Sequence, residues 1–117
     1  MRVLVIEDNA NHALLIRRRL TDAGMDVEVV QSAEAALRLV PVERFSGVLC
    51  DIVLPAMNGL EFARAARNMR SFKEVVLIAM SSSAMGPDEQ KALDAGFKAF
   101  FPKPFTPEIA QKIKALL

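Results

Sequence analysis

The chain holds one cysteine, one histidine and no tryptophan in 117 residues. A single Cys50 excludes an internal disulfide and fits a reducing compartment. Without tryptophan, native fluorescence cannot report a conformational change. No apolar stretch approaches the ~20 residues of a membrane-spanning helix. The first apolar run, Val3 to Ile6, is too short for the core of a signal peptide and meets Glu7 and Asp8 at once. Charge of one sign is also lacking: the net charge of +1 supplies no overall field toward nucleic acid or anionic lipid. No glycine-rich loop follows the first run, which disfavours a flavin or dinucleotide site. Repeats, linkers and low-complexity tracts are missing as well. What remains is a soluble, cytoplasmic domain spanning residues 1–117, long enough for one core.

Short apolar runs alternate with helical patterns. The runs are Val3–Ile6, Val27–Val30, Val48–Cys50, Val75–Ile78 and Ala99–Phe101. The first and fourth show no polar alternation, the mark of strands covered on both faces. Between them, Ala13, Ile16, Leu20 and Ala23 form one helical stripe. Ala33, Ala36, Leu37 and Val40 form a second, Phe62, Ala63, Ala66 and Met69 a third, and Ile109, Ile113 and Leu116 the last. A shorter helix runs from Pro87 to Ala95 with Ala92 and Leu93 inward. Asn9, Ser32, Asn58 and Thr106 stand where N-caps belong. Pro87 and Pro107 suit first helical turns, and Gly24 and Gly96 suit positive-φ helix ends. The pattern is (βα)5, which implies a doubly wound α/β fold with a parallel sheet and helices on both faces. Ligands in such folds bind beyond the carboxyl ends of the strands.

The strand ends carry the chemistry. The first strand ends in Glu7-Asp8 and the third in Asp51. Carboxylates gathered there repel, by roughly 4 kcal/mol for two unit charges about 4 Å apart at an effective dielectric of 20. A hard divalent cation relieves this, and Mg²⁺ suits one or two carboxylates with waters and a phosphate oxygen. The fourth strand ends in Ser81, and the fifth leads to Lys103, a point charge able to hold a phosphate. Taken singly, Glu7 and Asp8 read as a solvated loop, Ser81 as a turn serine and Lys103 as an exposed lysine. All of them at the carboxyl ends of four strands is a much less probable accident.

With these residues in view, the whole chain resembles the receiver domains of two-component response regulators. Asp51-Ile52-Val53-Leu54-Pro55-Ala56-Met57-Asn58-Gly59 looks like the family's phosphoacceptor loop, and Val3 to Asn9 like its opening. Ala95 to Phe100, followed by Lys103-Pro104-Phe105, looks like its close. The resemblance implies a flavodoxin-like five-stranded sheet in the order 2-1-3-4-5. It implies that Asp51 is the phosphoacceptor and a metal ligand. Asp8 would hold Mg²⁺ directly, Glu7 through water, and Val53 through its backbone carbonyl. Ser81 and Lys103 would contact the phosphoryl group, Ser81 and Phe100 would form the switch, and the Lys103-Pro104 peptide would be cis. The donor would be a histidine kinase or a histidine phosphotransfer protein. The domain would assist its own phosphorylation and dephosphorylation without being an enzyme in the usual sense. Output would pass to a protein target through the fourth helix, fifth strand and fifth helix.

Departures from the family's pattern are few. Pro102 stands before the lysine, where it is tolerable only on an edge strand. Phe100 lacks the hydroxyl of the family's frequent tyrosine, so packing alone must drive a switch there. Ser82 is small enough to leave a phosphate accessible. Val53 and Ser83 occupy positions that tune water access, and Val53 cannot orient a hydrolytic water.

Rival readings are weaker. An aspartate-nucleophile phosphatase needs a second Asp two positions after the first to protonate a leaving alkoxide, and Val53 stands there. A receiver-like docking module that works without phosphorylation would not need the full set Glu7, Asp8, Asp51, Ser81 and Lys103. Nucleic-acid binding has little support, because Arg17, Arg18 and Arg19 fan around a helix; the ridge Arg64, Arg67 and Arg70 reads as a solvated helix face. Met25, Met57, Met69, Met80 and Met85 read as core filler, and Cys50 as a core residue. His12 begins the first helix and reads as a surface or capping residue, not a phosphoryl donor. Ending at Leu117 with its fifth helix complete, the chain fits either a single-domain regulator or a receiver from a longer regulator or hybrid kinase.

Overall fold

The structure, a computed structural model, describes residues 1–81 and 86–117. Five strands alternate with five helices: β1 (Arg2–Ile6), α1 (Ala10–Asp22), β2 (Asp26–Val30), α2 (Ala33–Leu39), β3 (Gly47–Asp51), α3 (Gly59–Arg67), β4 (Val76–Ser81), α4 (Gly86–Ala95), β5 (Ala99–Pro102) and α5 (Pro107–Leu116). All pairings are parallel, in the order β2-β1-β3-β4-β5.

Side-chain alternation along the central strands builds two cores, one on each face of the sheet. Leu4, Ile6, Val48, Cys50, Leu77 and Ala79 face the α2, α3 and α4 side, with Phe62, Ala66 and Ala92. Val3, Val5, Leu49, Ile78 and Met80 face α1 and α5, with Ile16, Leu20 and Ile113. β1, β3 and β4 are buried almost throughout, as unbroken apolar runs require, whereas the edge strands β2 and β5 are half-buried. Pro102 lies on an edge strand. The next backbone N–H, that of Lys103, donates to Ser81 O of β4 at 2.8 Å. Successive backbone nitrogens along a strand face opposite sides, so Pro102 turns its donor-less nitrogen to the open edge.

Local signals set the helix starts. Asn9, Ser32, Asn58 and Thr106 each accept a backbone N–H from the first turn of the following helix, and Asn58 with Glu61 completes a capping box. Gly24 and Gly96 adopt φ of +92° and +119°. The methionines Met25 and Met80 are buried, and Met57 and Met69 pack half-buried against the core.

Two local expectations are corrected. Leu93 points outward and is 40% exposed, because Ala92 and Ala95, three residues apart, already make the narrow inner face of α4. The arginine ridge does not lie on one helix. α3 stops at Arg67, where Asn68 Nδ2 donates back to Arg64 O at 3.3 Å, and Arg70 begins a separate 3-10 turn, Arg70–Phe72. Expectations attached to Ser82, Ser83 and Met85 fall outside the described residues.

Gly59 opens α3 directly beneath the loop that follows β3. A Cβ there would sit 2.7 Å from Asp51 O and 2.8 Å from Ile52 Cα, both backbone atoms that cannot rotate away. Gly59→Ala is therefore expected to cost about 1–3 kcal/mol by overpacking, measured as a lower urea midpoint. An unchanged midpoint would show that the loop yields freely.

Candidate functional site

The sheet order brings the carboxyl ends of β1 and β3 side by side, with β4 and β5 beyond them. Glu7 and Asp8 leave β1, and Asp51 is the last residue of β3. Each of these three residues offers a carboxylate oxygen, and those atoms lie within 4.8 Å of one another. Glu7 and Asp51 are buried, 1% and 5% exposed, while Asp8 faces solvent. From the far side Lys103 reaches across, its Nζ 2.6 Å from Asp51 Oδ2 and 3.3 Å from Glu7 Oε2. Ser81 ends β4, 2% exposed, paired in register with Pro102.

Backbone donors hold the second carboxylate oxygen of Asp51 and of Glu7. Val53 N–H donates to Asp51 Oδ1 at 3.0 Å, and Asn9 N–H donates to Glu7 Oε1 at 3.2 Å. Asp51 is thus gripped at both oxygens, one by an amide and one by an ammonium. Val53 turns its side chain out, 69% exposed, beside this carboxylate. The Lys103–Pro104 peptide is cis. Phe100 lies half-buried on β5, on the sheet face shared with α4. Glu7, Asp8, Asp51, Val53, Ser81 and Lys103 therefore come to one edge of the sheet, and Phe100 stands two residues back along β5, paired with Ala79.

The electrostatics are those of an acid-rich pocket with one cation. Burial pushes the Glu7 carboxyl above its usual value; the Asn9 amide opposes this, the Asp51 charge adds to it, and Lys103 offsets part. Burial alone would lower Lys103, but its hydrogen bond to Asp51, the Asp51 charge and then Glu7 outweigh that and raise it. Cys50, fully buried one residue before Asp51, is pushed well up by burial and then by the charges of Asp51 and Glu7, so its thiol stays protonated. The donor set is all hard oxygen, open on the Asp8 side, which suits Mg²⁺ and not a soft metal.

Sequence reasoning missed three features. His12, read as a surface or capping residue, is exposed, but its Nδ1 lies 3.4 Å from Lys103 Nζ. The two residues are 91 positions apart, and no periodicity signals such a contact. Gly59 matched the resemblance, yet its physical reason, the close approach of Asp51 and Ile52 backbone, is visible only in space. Ala56 adopts φ of +59° in the loop after β3, a conformation that costs a non-glycine residue about 1–2 kcal/mol, and nothing in its side chain announces it.

A doubly wound parallel sheet with acidic groups and a lysine converging at its carboxyl edge defines an α/β strand-end site of the flavodoxin-like class. Residues 3–114 match the model of the response regulator receiver domain, and the chain belongs to that family of two-component phosphoacceptors. It is 30% identical over 118 residues to the response regulator MprA of Mycolicibacterium vanbaalenii, covering 100% of this chain and 50% of that protein. The chain thus spans half the length of that curated relative. Among solved structures it superposes on the chemotaxis protein CheY4 of Vibrio cholerae with a TM-score of 0.91 and 26% identity, covering 99% of this chain and 98% of that one. It also superposes on the receiver domain of the sensor histidine kinase PA1611 of Pseudomonas aeruginosa, with a TM-score of 0.87 and 28% identity over 96% and 92% of the two chains. That structure has a magnesium ion coordinated in its active-site cleft. Among the described residues, no helix is long and apolar enough to cross a membrane.

A carboxyl raised in the fold is a group the native state prefers protonated. Stability of the metal-free protein is therefore expected to fall as pH rises from the carboxyl's usual value through its raised one. Lys103 acts in the opposite range: its contribution is complete below its usual value and disappears only at strongly alkaline pH. In chelator, Glu7→Gln should flatten the acid-side fall and raise the melting temperature at pH 7.5. A steeper fall in the variant would contradict the assignment.

Proposed function

We propose that this domain accepts a phosphoryl group on Asp51 in a Mg²⁺-dependent reaction and thereby switches a protein-binding surface. The observation that carries this reading is the double grip on Asp51: Val53 N–H at 3.0 Å on one oxygen, Lys103 Nζ at 2.6 Å on the other. A buried carboxylate held in one orientation, beside a cation and at an open pocket, is arranged for in-line attack.

The chemistry balances simply. An Asp51 oxygen forms a bond to phosphorus, and the bond from phosphorus to the donor's nitrogen breaks with its electron pair leaving on nitrogen. The donor is a phosphohistidine of a histidine kinase or histidine phosphotransfer protein, in keeping with the family. Lys103 pairs with the phosphoryl oxygens as charge builds on them. Glu7, Asp8, Asp51 and the Val53 carbonyl are the groups that would hold Mg²⁺, the first of them through water. When bound, the ion neutralises the gathered carboxylates and the phosphoryl oxygens. The family is one of phosphoacceptors, and this domain assists its own phosphorylation and dephosphorylation. Val53, apolar and exposed beside Asp51, cannot orient an attacking water, which favours a long-lived phosphoryl group.

The phosphoryl group supplies strong acceptors that draw in the Ser81 hydroxyl. Ser81 and Phe100 stand on adjacent strands, and as Ser81 is drawn toward the phosphoryl group the Phe100 ring moves further into the core. Lacking a hydroxyl, Phe100 reports the state through packing. The face formed by α4, β5 and α5 then presents a changed surface to a protein target, in the cytoplasm, with residues 1–117 as one receiver unit.

The test uses acetyl phosphate with Mg²⁺ and intact mass spectrometry. The wild type is expected to gain one phosphoryl group, lost on chelation before the reaction. Asp51→Asn is expected to gain none. A wild type that takes up nothing, while binding Mg²⁺, would favour a docking module that works without phosphorylation.

A further inference from the structure

Among the described residues, the Lys103 ammonium lies within hydrogen-bond distance of three side chains from three parts of the chain. Asp51 Oδ2 comes from β3 at 2.6 Å, Glu7 Oε2 from the end of β1 at 3.3 Å, and His12 Nδ1 from the first turn of α1 at 3.4 Å. An ammonium has three donors and no acceptor, so it can give one proton to each of three such partners. We infer that His12 is a positioning residue for phosphoryl transfer, the third anchor that keeps Lys103 Nζ over Asp51. This rests on the phosphoacceptor reading above and deepens it.

Two observations support the placement. His12 is held by the helix cap, since its own backbone N–H donates to Asn9 Oδ1 at 3.0 Å. Its ring therefore projects from a fixed point of α1. The side chains of His12, Leu15 and Ile16 also line a small cleft, about 50 Å³, against Lys103, Pro104 and Phe105. Lys103 and α1 thus border one cleft, with His12 among the residues that line it.

His12 differs from the other two anchors in what happens to them during the reaction. Asp51 becomes the acyl phosphate, so its oxygen is no longer a full anion. Glu7 belongs to the acidic set that faces the cation site. His12 is the one anchor that neither event consumes. With Nδ1 as the acceptor, the imidazole keeps the ammonium on the side from which phosphoryl oxygens arrive.

The test compares His12→Leu with His12→Asn in initial rates of phosphorylation by acetyl phosphate at pH 8 and saturating Mg²⁺. Asparagine places an oxygen close to where histidine has Nδ1, so it restores the acceptor; leucine removes it. His12→Leu is expected to react about 3- to 10-fold more slowly, the scale of one charge-assisted hydrogen bond partly exposed to water. His12→Asn is expected within about 2-fold of the wild type by the same reasoning. Thermal melting and Mg²⁺ affinity should be alike in all three proteins, because His12 acts through Lys103 and not on the metal. Equal rates for wild type and His12→Leu, or an Asn variant as slow as the Leu variant, would overturn the role of His12 while leaving Asp51 phosphorylation standing. Absence of uptake by the wild type would remove both readings together.

Discussion

The site depends on a contest between carboxylates that repel and one lysine that offsets them. Glu7 and Asp51 are both buried, and Asp8 joins them within 4.8 Å. Such a cluster is costly, and the cost is met by a lysine that arrives from the opposite end of the chain. On the proposed reading, the same cation that steadies the carboxylates receives the phosphoryl oxygens. Stability of the pocket and the proposed transfer thus rest on one ion-pair arrangement.

The sheet makes this arrangement possible because it holds the strand ends in a fixed row. Backbone pairing of β1 with β3, β3 with β4 and β4 with β5 sets the spacing of Glu7, Asp51, Ser81 and Lys103, whatever their side chains. Apolar packing on both faces stiffens that row. The loops beyond it are where the local compromises lie: a non-glycine residue at positive φ at Ala56, and a glycine at 59 with no room for a methyl group. Both sit in the segment that carries Asp51 out of β3, where backbone geometry matters more than local comfort.

Much of the fold was readable because its signals are local. Apolar runs without alternation gave buried strands, and Asn9, Ser32, Asn58 and Thr106 gave helix starts through hydrogen bonds that span three residues. The acidic strand ends and Lys103 were readable as a set because α/β topology sends every strand end to the same edge. Failures occurred where a tertiary neighbour decided the outcome. Leu93 carries an inward-looking hydrophobe, but Ala92 and Ala95 suit the tight contact of α4 with the sheet, and only one face can be inward. Arg70 continued a helical spacing that the Asn68 side chain had already ended.

By itself the sequence determined the order of elements, their caps, the two-faced burial of the central strands and the residue types offered at the strand ends. These follow from periodicity and hydrogen bonds between near neighbours. Only the tertiary structure decided that Lys103 bridges Asp51 and Glu7, that His12 comes within 3.4 Å of the same ammonium from 91 residues away, and that Gly59 must lack a side chain. Those facts depend on distances between atoms remote in the chain, set by sheet order and helix packing, for which a linear pattern carries no measure.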